Sequence, residues 1–525
     1  MLATFARTAV FAEVPDSGGA YVEGLAGFPQ SLNPILANDE ASHAVNALVF
    51  SGLTKLDDKG QAVPDLAESV DVSPDGRTYT FVIRANARWH DGHPVTADDA
   101  VFTFKTIQDA QYSGPLAANW RDVTVEKVDD RTVRLKLEKD SFAPFVEYTA
   151  VGLLPAHVLG DVGPKELAVH RFNVQPVGTG PFRVREVWAD RILLERAKDY
   201  YGPTPYLNRI IFRIYPNHKT ILTALERDEV EGAPVLDPAD ASRLANERQV
   251  ALYSAPQASL TLLFFNLSHP PLADRTVRQA LAYALDRQKL IDLARQGRGR
   301  KADSPVLAGS WAYNQDVPKY EFDAPKARTL LDQAGWKQES EGAIRVKDGV
   351  PLRFVLLTND RQERLRLAEE IQRQLGAVGV DVEVQATGAG GLVQDFLLPR
   401  KFQLALYSWD LSGFDPDPYA LWHSTQLGPR GYNVSGYTNR RVDDLLEKAR
   451  RTSDRDERAR LYAEFQTMFA EDLPSLPLYY PTYDFAISRK IKGVKPGMAA
   501  SPADRFRNVV EWYAKTKREV VSRRS

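Results

Sequence analysis

Along the first third of the chain, apolar and polar positions alternate with a period of two, broken by tight turns, which predicts short half-buried strands. Residues 78–84 put Tyr79, Phe81 and Ile83 on one face, after a Ser73-Pro74-Asp75-Gly76 turn whose glycine tolerates positive φ. A second hairpin is predicted over 123–137, with Val123 and Val125 in one arm, Val133, Leu135 and Leu137 in the other, and Asp129-Asp130 between them. Between the two hairpins the period lengthens. Ala100, Val101, Phe104 and Ile107 recur at helical spacing behind Thr96, which forms a capping-box pattern with Asp99.

From about residue 260 the pattern changes. The longest apolar run, 260–267, reads as a strand, and 274–295 as one long amphipathic helix with Val277, Leu281, Ala284 and Leu290 on its stripe. A further helix is predicted over 323–334, capped by Asp323 and stopped by Gly335. Strand 352–357, helix 363–375, strand 380–385, helix 392–398 and strand 402–409 then make a βαβαβ run, which implies a parallel sheet with right-handed crossovers. Two more amphipathic helices are expected over 442–450 and 456–469, and the basic residues 515–524 read as a frayed, solvated tail.

The 525 residues suffice for two to four domains. Hydrophobic residues at 43% and charged residues at 26% are ordinary globular usage, which argues against intrinsic disorder. Sixty-seven basic against 69 acidic residues give a net charge of -2, so no overall field attracts nucleic acid. The absence of cysteine excludes disulfides, thiolate metal sites and Cys nucleophiles. No apolar run reaches the roughly 18 residues of a membrane span. Residues 1–12, mildly apolar and broken by Arg7, read as too short and weak for a complete signal peptide, so no signal or anchor is expected within the given sequence.

Several stretches invite a chemical reading. His90 and His93 flank an Asp91-Gly92 turn, and turn chemistry accounts for them better than a metal pair, so no metal ligands are expected. Gly388-Ala389-Gly390-Gly391 follows a predicted strand, and Asp410 lies about 20 residues on, as in a dinucleotide fingerprint. Val393 stands where the third glycine belongs, and an NAD-dependent oxidoreductase is therefore only the alternative from a different class; no cofactor is expected. A glycosidase would need Asp415 and Asp417 converging across a sugar, whereas the Asp-Pro-Asp-Pro setting reads as a rigid loop. In open α/β sheets ligands bind beyond the carboxyl ends of strands, and the loop that begins at Trp409 combines aromatic rings, carboxylates, Pro and Gly there.

Six stretches together resemble the extracytoplasmic solute-binding proteins, family 5, of oligopeptide, dipeptide and nickel ABC importers. They are Leu32-Asn33-Pro34, the run from Trp89-His90-Asp91-Gly92-His93 to Asp99, Gly178-Thr179-Gly180-Pro181-Phe182, Phe264-Phe265-Asn266, Val277-Arg278-Gln279-Ala280 with Asp286-Arg287, and Asp415-Pro416-Asp417. The stretches run from Leu32 to Asp417, and the resemblance in order and spacing covers roughly residues 19–513. The resemblance implies an α/β, two-lobed periplasmic-binding-protein-like fold of type II without catalytic machinery. Lobe I, 19–262, is expected to carry an extra hairpin-rich subdomain at about 50–165; lobe II, 263–478, is inserted; 479–513 returns to lobe I, and 514–525 is the tail. The resemblance further implies a monomer outside the cytoplasm, in the periplasm or at the outer face of the membrane, that closes over a peptide or another elongated polar solute such as an oligosaccharide. It would hand this solute to an ABC permease. Gly27 and Phe28 would face the solute from lobe I and Trp409, Asp410, Leu411 and Ser412 from lobe II, with Tyr112, Trp120, Trp422 and Asn433 nearby. Peptide-binding relatives place an amine-pairing Asp three residues after the Trp. This chain has Ser412 there, which leaves Asp410 as the expected stand-in.

Overall fold

The structure, a computed structural model, describes residues 10–139, 142, 144–411, 415–428 and 431–521. Its backbone is one 12-stranded mixed sheet with a lobe built on either end. From one edge the strands run Asp381–Thr387, Arg353–Asn359, Leu404–Asp410, Ser259–Phe265, Ser475–Ser488, Gly232–Ala233, Ala20–Ala26, Arg209–Tyr215, Arg191–Arg196 and Phe182–Val187. The 14-residue strand Ser475–Ser488 joins the two ends. Its first half pairs with Ser259–Phe265 and its second half, Thr482 to Ser488, with Val250–Pro256. The outgoing chain changes partner half along this strand at 257–258. Proline lacks the ladder N–H, and the strand places its prolines accordingly: Pro477 sits at a register break opposite Leu262, and Pro481 at the changeover.

Both faces of the second lobe's sheet are covered. Leu263, Phe265, Leu404 and Leu406 enter one core with helix Gln362–Gly376, while Leu262, Phe264 and Ala405 enter another with helix Arg455–Asp472. Strand Ser259–Phe265 is buried at every position, which is why its sequence is a continuous apolar run. Arg353–Asn359 pairs in parallel with both Asp381–Thr387 and Leu404–Asp410, the arrangement that the βαβαβ pattern predicts.

In the hairpin-rich part of the first lobe, strands Ala67–Val72, Thr78–Ile83, Thr132–Leu137 and Val123–Lys127 form an antiparallel sheet. Helix Ala97–Gln108 packs on it through Ala100, Phe104 and Ile107. Asp99 accepts the Thr96 N–H at 2.8 Å, the reciprocal half of the capping box. The Gly178-Thr179-Gly180 stretch passes so close to helix Glu40–Val49 that a Cβ on Gly178 or Gly180 would lie 1.9 Å from the Val49 carbonyl oxygen or 2.4 Å from that of Leu48.

Against this stretch His90 is held by both ring nitrogens: Nδ1 accepts the Gly178 N–H at 3.2 Å and Nε2 donates to the Gly180 carbonyl at 3.0 Å. Only the neutral ring satisfies both bonds, and burial pushes its pKa down to about 4. Between the unfolded value of about 6.5 and that folded value, the unfolded chain binds the proton and the folded one does not. Stability is therefore expected to fall by about 2–3 kcal/mol as the pH drops from about 6.5 to about 4. In His90→Gln this pH dependence should shrink, as read by thermal unfolding across the window; an unchanged profile would reject the assignment.

Three expectations differ from the structure. The predicted helix 274–295 is two, Arg275–Tyr283 and Arg287–Arg295, because the Asp286 carboxylate caps the second by accepting the Lys289 N–H at 3.1 Å. Residues Leu392–Leu397 form a wider π-type turn, following a short helical segment Ala389–Gly391, in place of a regular helix. Lys515–Val521 is no frayed tail, since it pairs in antiparallel register with Val10–Asp16 and so satisfies backbone groups on both strands.

Candidate ligand-binding site

Strand Leu404–Asp410 ends at a cavity of about 340 Å³, within the ordinary range for small-ligand sites. Trp409, Asp410 and Leu411 form one side of it and Pro305, Val306, Leu307 and Ser310 another. The Leu411 N–H donates to the Ala258 carbonyl at 2.9 Å, which ties the cavity rim to the changeover between lobes. The Trp409 ring meets Tyr432 edge-on at 5.3 Å and Tyr407 at 5.9 Å. Tyr480, from the strand that joins the lobes, donates its hydroxyl to the Val306 carbonyl at 2.7 Å and so holds the 305–310 part of the lining. Trp422 lies beneath, packed edge-on against Phe469 at 4.7 Å.

Three carboxylates line the cavity, and two are neutralised. Asp417 takes two hydrogen bonds from Arg450, at 2.9 and 2.6 Å, and the Arg450 guanidinium stacks 4.0 Å over the Tyr419 ring. Asp415 is clamped in the same two-bonded way by the nearly buried Arg458. Burial opposes the charge on Arg458, but Asp415 outweighs it and holds the guanidinium pKa above its ordinary value. Asp410 is exposed and, among the described residues, makes no ion pair. Two buried polar atoms on the lining, Trp422 Nε1 and Ser310 Oγ, have no hydrogen-bond partner among the described residues, a condition that costs about 1–3 kcal/mol each unless a guest supplies one. The Asp415 N–H donates to Glu147 Oε1 at 2.7 Å, so the loop is also held from the hairpin-rich part of the first lobe.

This arrangement bears on several readings of the sequence. Asp415 and Asp417 are each held in a two-bonded pair with an arginine, which leaves neither carboxylate free to act as an acid or base. The Gly388–Gly391 segment follows an edge strand, and Asp410 ends a strand two places away across Arg353–Asn359, so the adjacent-strand geometry of a dinucleotide site is missing. Trp120 lies in the core of the hairpin-rich sheet, stacked on Phe104 at 4.1 Å, and Asn433 is wholly buried, bridging the His423 and Tyr437 carbonyls. Neither lines the cavity beside Trp409. The Tyr112 hydroxyl is occupied by the Ile35 carbonyl.

Gly27, at φ +85°, and Phe28, 42% exposed, follow strand Ala20–Ala26 in the other lobe and do not line the cavity beside Trp409. Ser412 lies outside the described residues. Tyr432, one of the loop aromatics the sequence offers for such a cleft, lies on the lining, whereas the wall 305–310 carries no local signal beyond the Pro305 and Gly309 punctuation that marks it as a loop.

Comparisons with known proteins converge on one group. Residues 61–429 match the family model described as bacterial extracellular solute-binding proteins, family 5 Middle. The oligopeptide-binding protein AppA of Bacillus subtilis (strain 168) is 32% identical over 510 residues, which cover 95% of this chain and 92% of AppA. The solved structure of that AppA in complex with a nonapeptide gives a TM-score of 0.67 at 30% identity, covering 95% of this chain and 99% of that one. The MppA periplasmic murein tripeptide binding protein, in its unliganded open form, shares the fold at a TM-score of 0.83 and 21% identity, with 96% and 99% of the two chains covered.

Proposed function

The chain belongs to the bacterial extracellular solute-binding proteins of family 5, and from that premise we propose that it captures peptides between its lobes and delivers them to the membrane permease of an ABC importer. The protein acts outside the cytoplasm as a monomer and catalyses nothing. The lobes close as rigid bodies about the two crossings near 257–258 and 480–482. Closure brings Gly27 and Phe28 over the solute from lobe I, while Trp409 and Leu411 hold it from lobe II.

The observation that carries this reading is the unbalanced charge at the cavity. Of the three lining carboxylates, Asp410 alone is left without an arginine among the described residues, and it stands one residue past the Trp409 wall. An ammonium brought into a partly dry cleft needs such a counter-charge, so Asp410 pairs with the free amino group of the peptide. The Trp422 and Ser310 polar atoms offer further bonds to the guest. Bonds to main-chain groups make selectivity broad, because the peptide backbone is common to all sequences.

Native mass spectrometry of freshly purified protein, followed by denaturing release, is expected to show a bound pool of short peptides. A homogeneous sugar, or a chain that stays empty and also fails to bind any member of a peptide library, would overturn the proposal.

A further inference from the structure

We propose that Asp91, His93 and His157 form a surface site for a divalent first-row transition ion of the zinc class, separate from the ligand cavity. None of the three lines that cavity. One ligand atom from each lies within 4.8 Å of the others. His157 Nε2 is 2.7 Å from one Asp91 oxygen, and His93 Nδ1 is 3.2 Å from the other. The two imidazoles stack with centroids 4.2 Å apart. An ion held tetrahedrally at about 2.0–2.1 Å sets its donor atoms about 3.4 Å apart, a spacing that small side-chain rotations reach from donors already within 4.8 Å of one another. Two imidazoles with one carboxylate are a borderline donor set that suits Zn²⁺, and the solvent side leaves room for water as a further ligand.

The framework behind these donors is rigid. Asp91 and His93 sit in a turn closed by the Gly92 N–H on the Trp89 carbonyl at 2.9 Å and the Trp89 N–H on the His93 carbonyl at 2.8 Å, with Gly92 at φ +93°. His157 lies in the short helix Ala156–Leu159. One buried carboxylate, Asp99, ties the two segments together: it accepts the Trp89 indole N–H at 3.1 Å and the Ala156 N–H at 2.8 Å. The donor-bearing segments are therefore positioned before an ion arrives, which lowers the cost of assembling the site. His90, the other histidine of the motif, is turned inward onto Gly178 and Gly180 and takes no part. A bound ion would cross-link the turn at 91–93 to the helix at 156–159.

The test is calorimetric titration of the chelator-treated full chain with ZnCl₂, alongside His93→Ala, His157→Ala and the double variant. One ion per chain is expected, with at least a tenfold loss of affinity in each single variant and no binding in the double. His93 is 61% exposed, so its replacement leaves the fold intact, and melting of the metal-free variants checks this. Co²⁺ in place of Zn²⁺ should give visible absorption bands in the wild type that vanish in His93→Ala. Failure of the wild type to bind Zn²⁺, or a double variant that binds it as tightly as the wild type, would overturn the site. Peptide binding should be the same with and without the ion, so the result is independent of the proposed transport role.

Discussion

Trp409→Ala is expected to weaken peptide binding by about thirty- to a thousandfold, the ~2–4 kcal/mol lost when a central aromatic anchor is truncated. The ring is the side wall of the cavity and is held in place from two directions, by Tyr432 at 5.3 Å and Tyr407 at 5.9 Å. Removing it leaves Tyr432, already 43% exposed, without its neighbour, and admits water to the face against which the guest would lie. The strand itself should survive, because Trp409 pairs with Leu260 through its backbone and its side chain is only half-buried. Loss of affinity without a matching fall in melting temperature is thus the expected signature, measured by calorimetry with a defined peptide. Trp409→Phe, which keeps a flat apolar face, should retain most of the binding. If the alanine variant binds as tightly as the wild type, the cavity is not where peptides sit.

The elements legible in the sequence are those whose signal is local. Tyr79, Phe81 and Ile83 alternate because one face of their strand is buried, and Thr96 with Asp99 marks a helix start because the reciprocal bonds span only three residues. The run 260–267 stands out since the central strand is covered on both faces. Signals fail where a distant partner decides. Arg287 is buried between the Tyr320 and Ala302 carbonyls and Asp303, partners 15 to 33 positions away that leave no trace in apolar periodicity. The edge strand Lys515–Val521 is charged and reads as tail until Val10–Asp16 lies beside it. At the site, position after the strand end singled out Trp409 and Asp410, a topological inference that needs no contact information. The burial of Trp120 and Asn433 was not legible, because an aromatic or amide in a loop has the same sequence signature whether it faces solvent or fills a core. The resemblance to a family supplied the two-lobed plan, which periodicity alone could not.

Arg505→Ala is expected to destabilise the first lobe by about 3–5 kcal/mol, the usual consequence of leaving one partner of a buried ion pair alone. The Arg505 and Glu23 side chains are 0% and 1% exposed. Arg505 donates through Nε at 3.2 Å and through Nη2 to the two Glu23 oxygens, and Tyr21 adds its hydroxyl at 2.5 Å. Burial, and next the Glu23 charge, raise the Tyr21 pKa well above its ordinary value, so the phenol stays a donor and cannot replace a cation. The pair joins the second residue triplet of strand Ala20–Ala26 to the turn Pro502–Phe506, 482 positions away, and so binds the returning chain to the first strand of the main sheet. Without Arg505 the carboxylate must take up a proton or draw water into the core, and either route costs free energy. A double replacement, Glu23→Gln with Arg505→Met, removes both charges and should recover much of the loss, whereas an unpaired packing effect would persist in it. Differential scanning calorimetry resolves the outcome: the first-lobe transition should move down in Arg505→Ala and largely return in the double variant, with peptide affinity of the folded protein unchanged because neither residue lines the cavity. A single variant that melts with the wild type would show that the buried pair contributes nothing net to the fold.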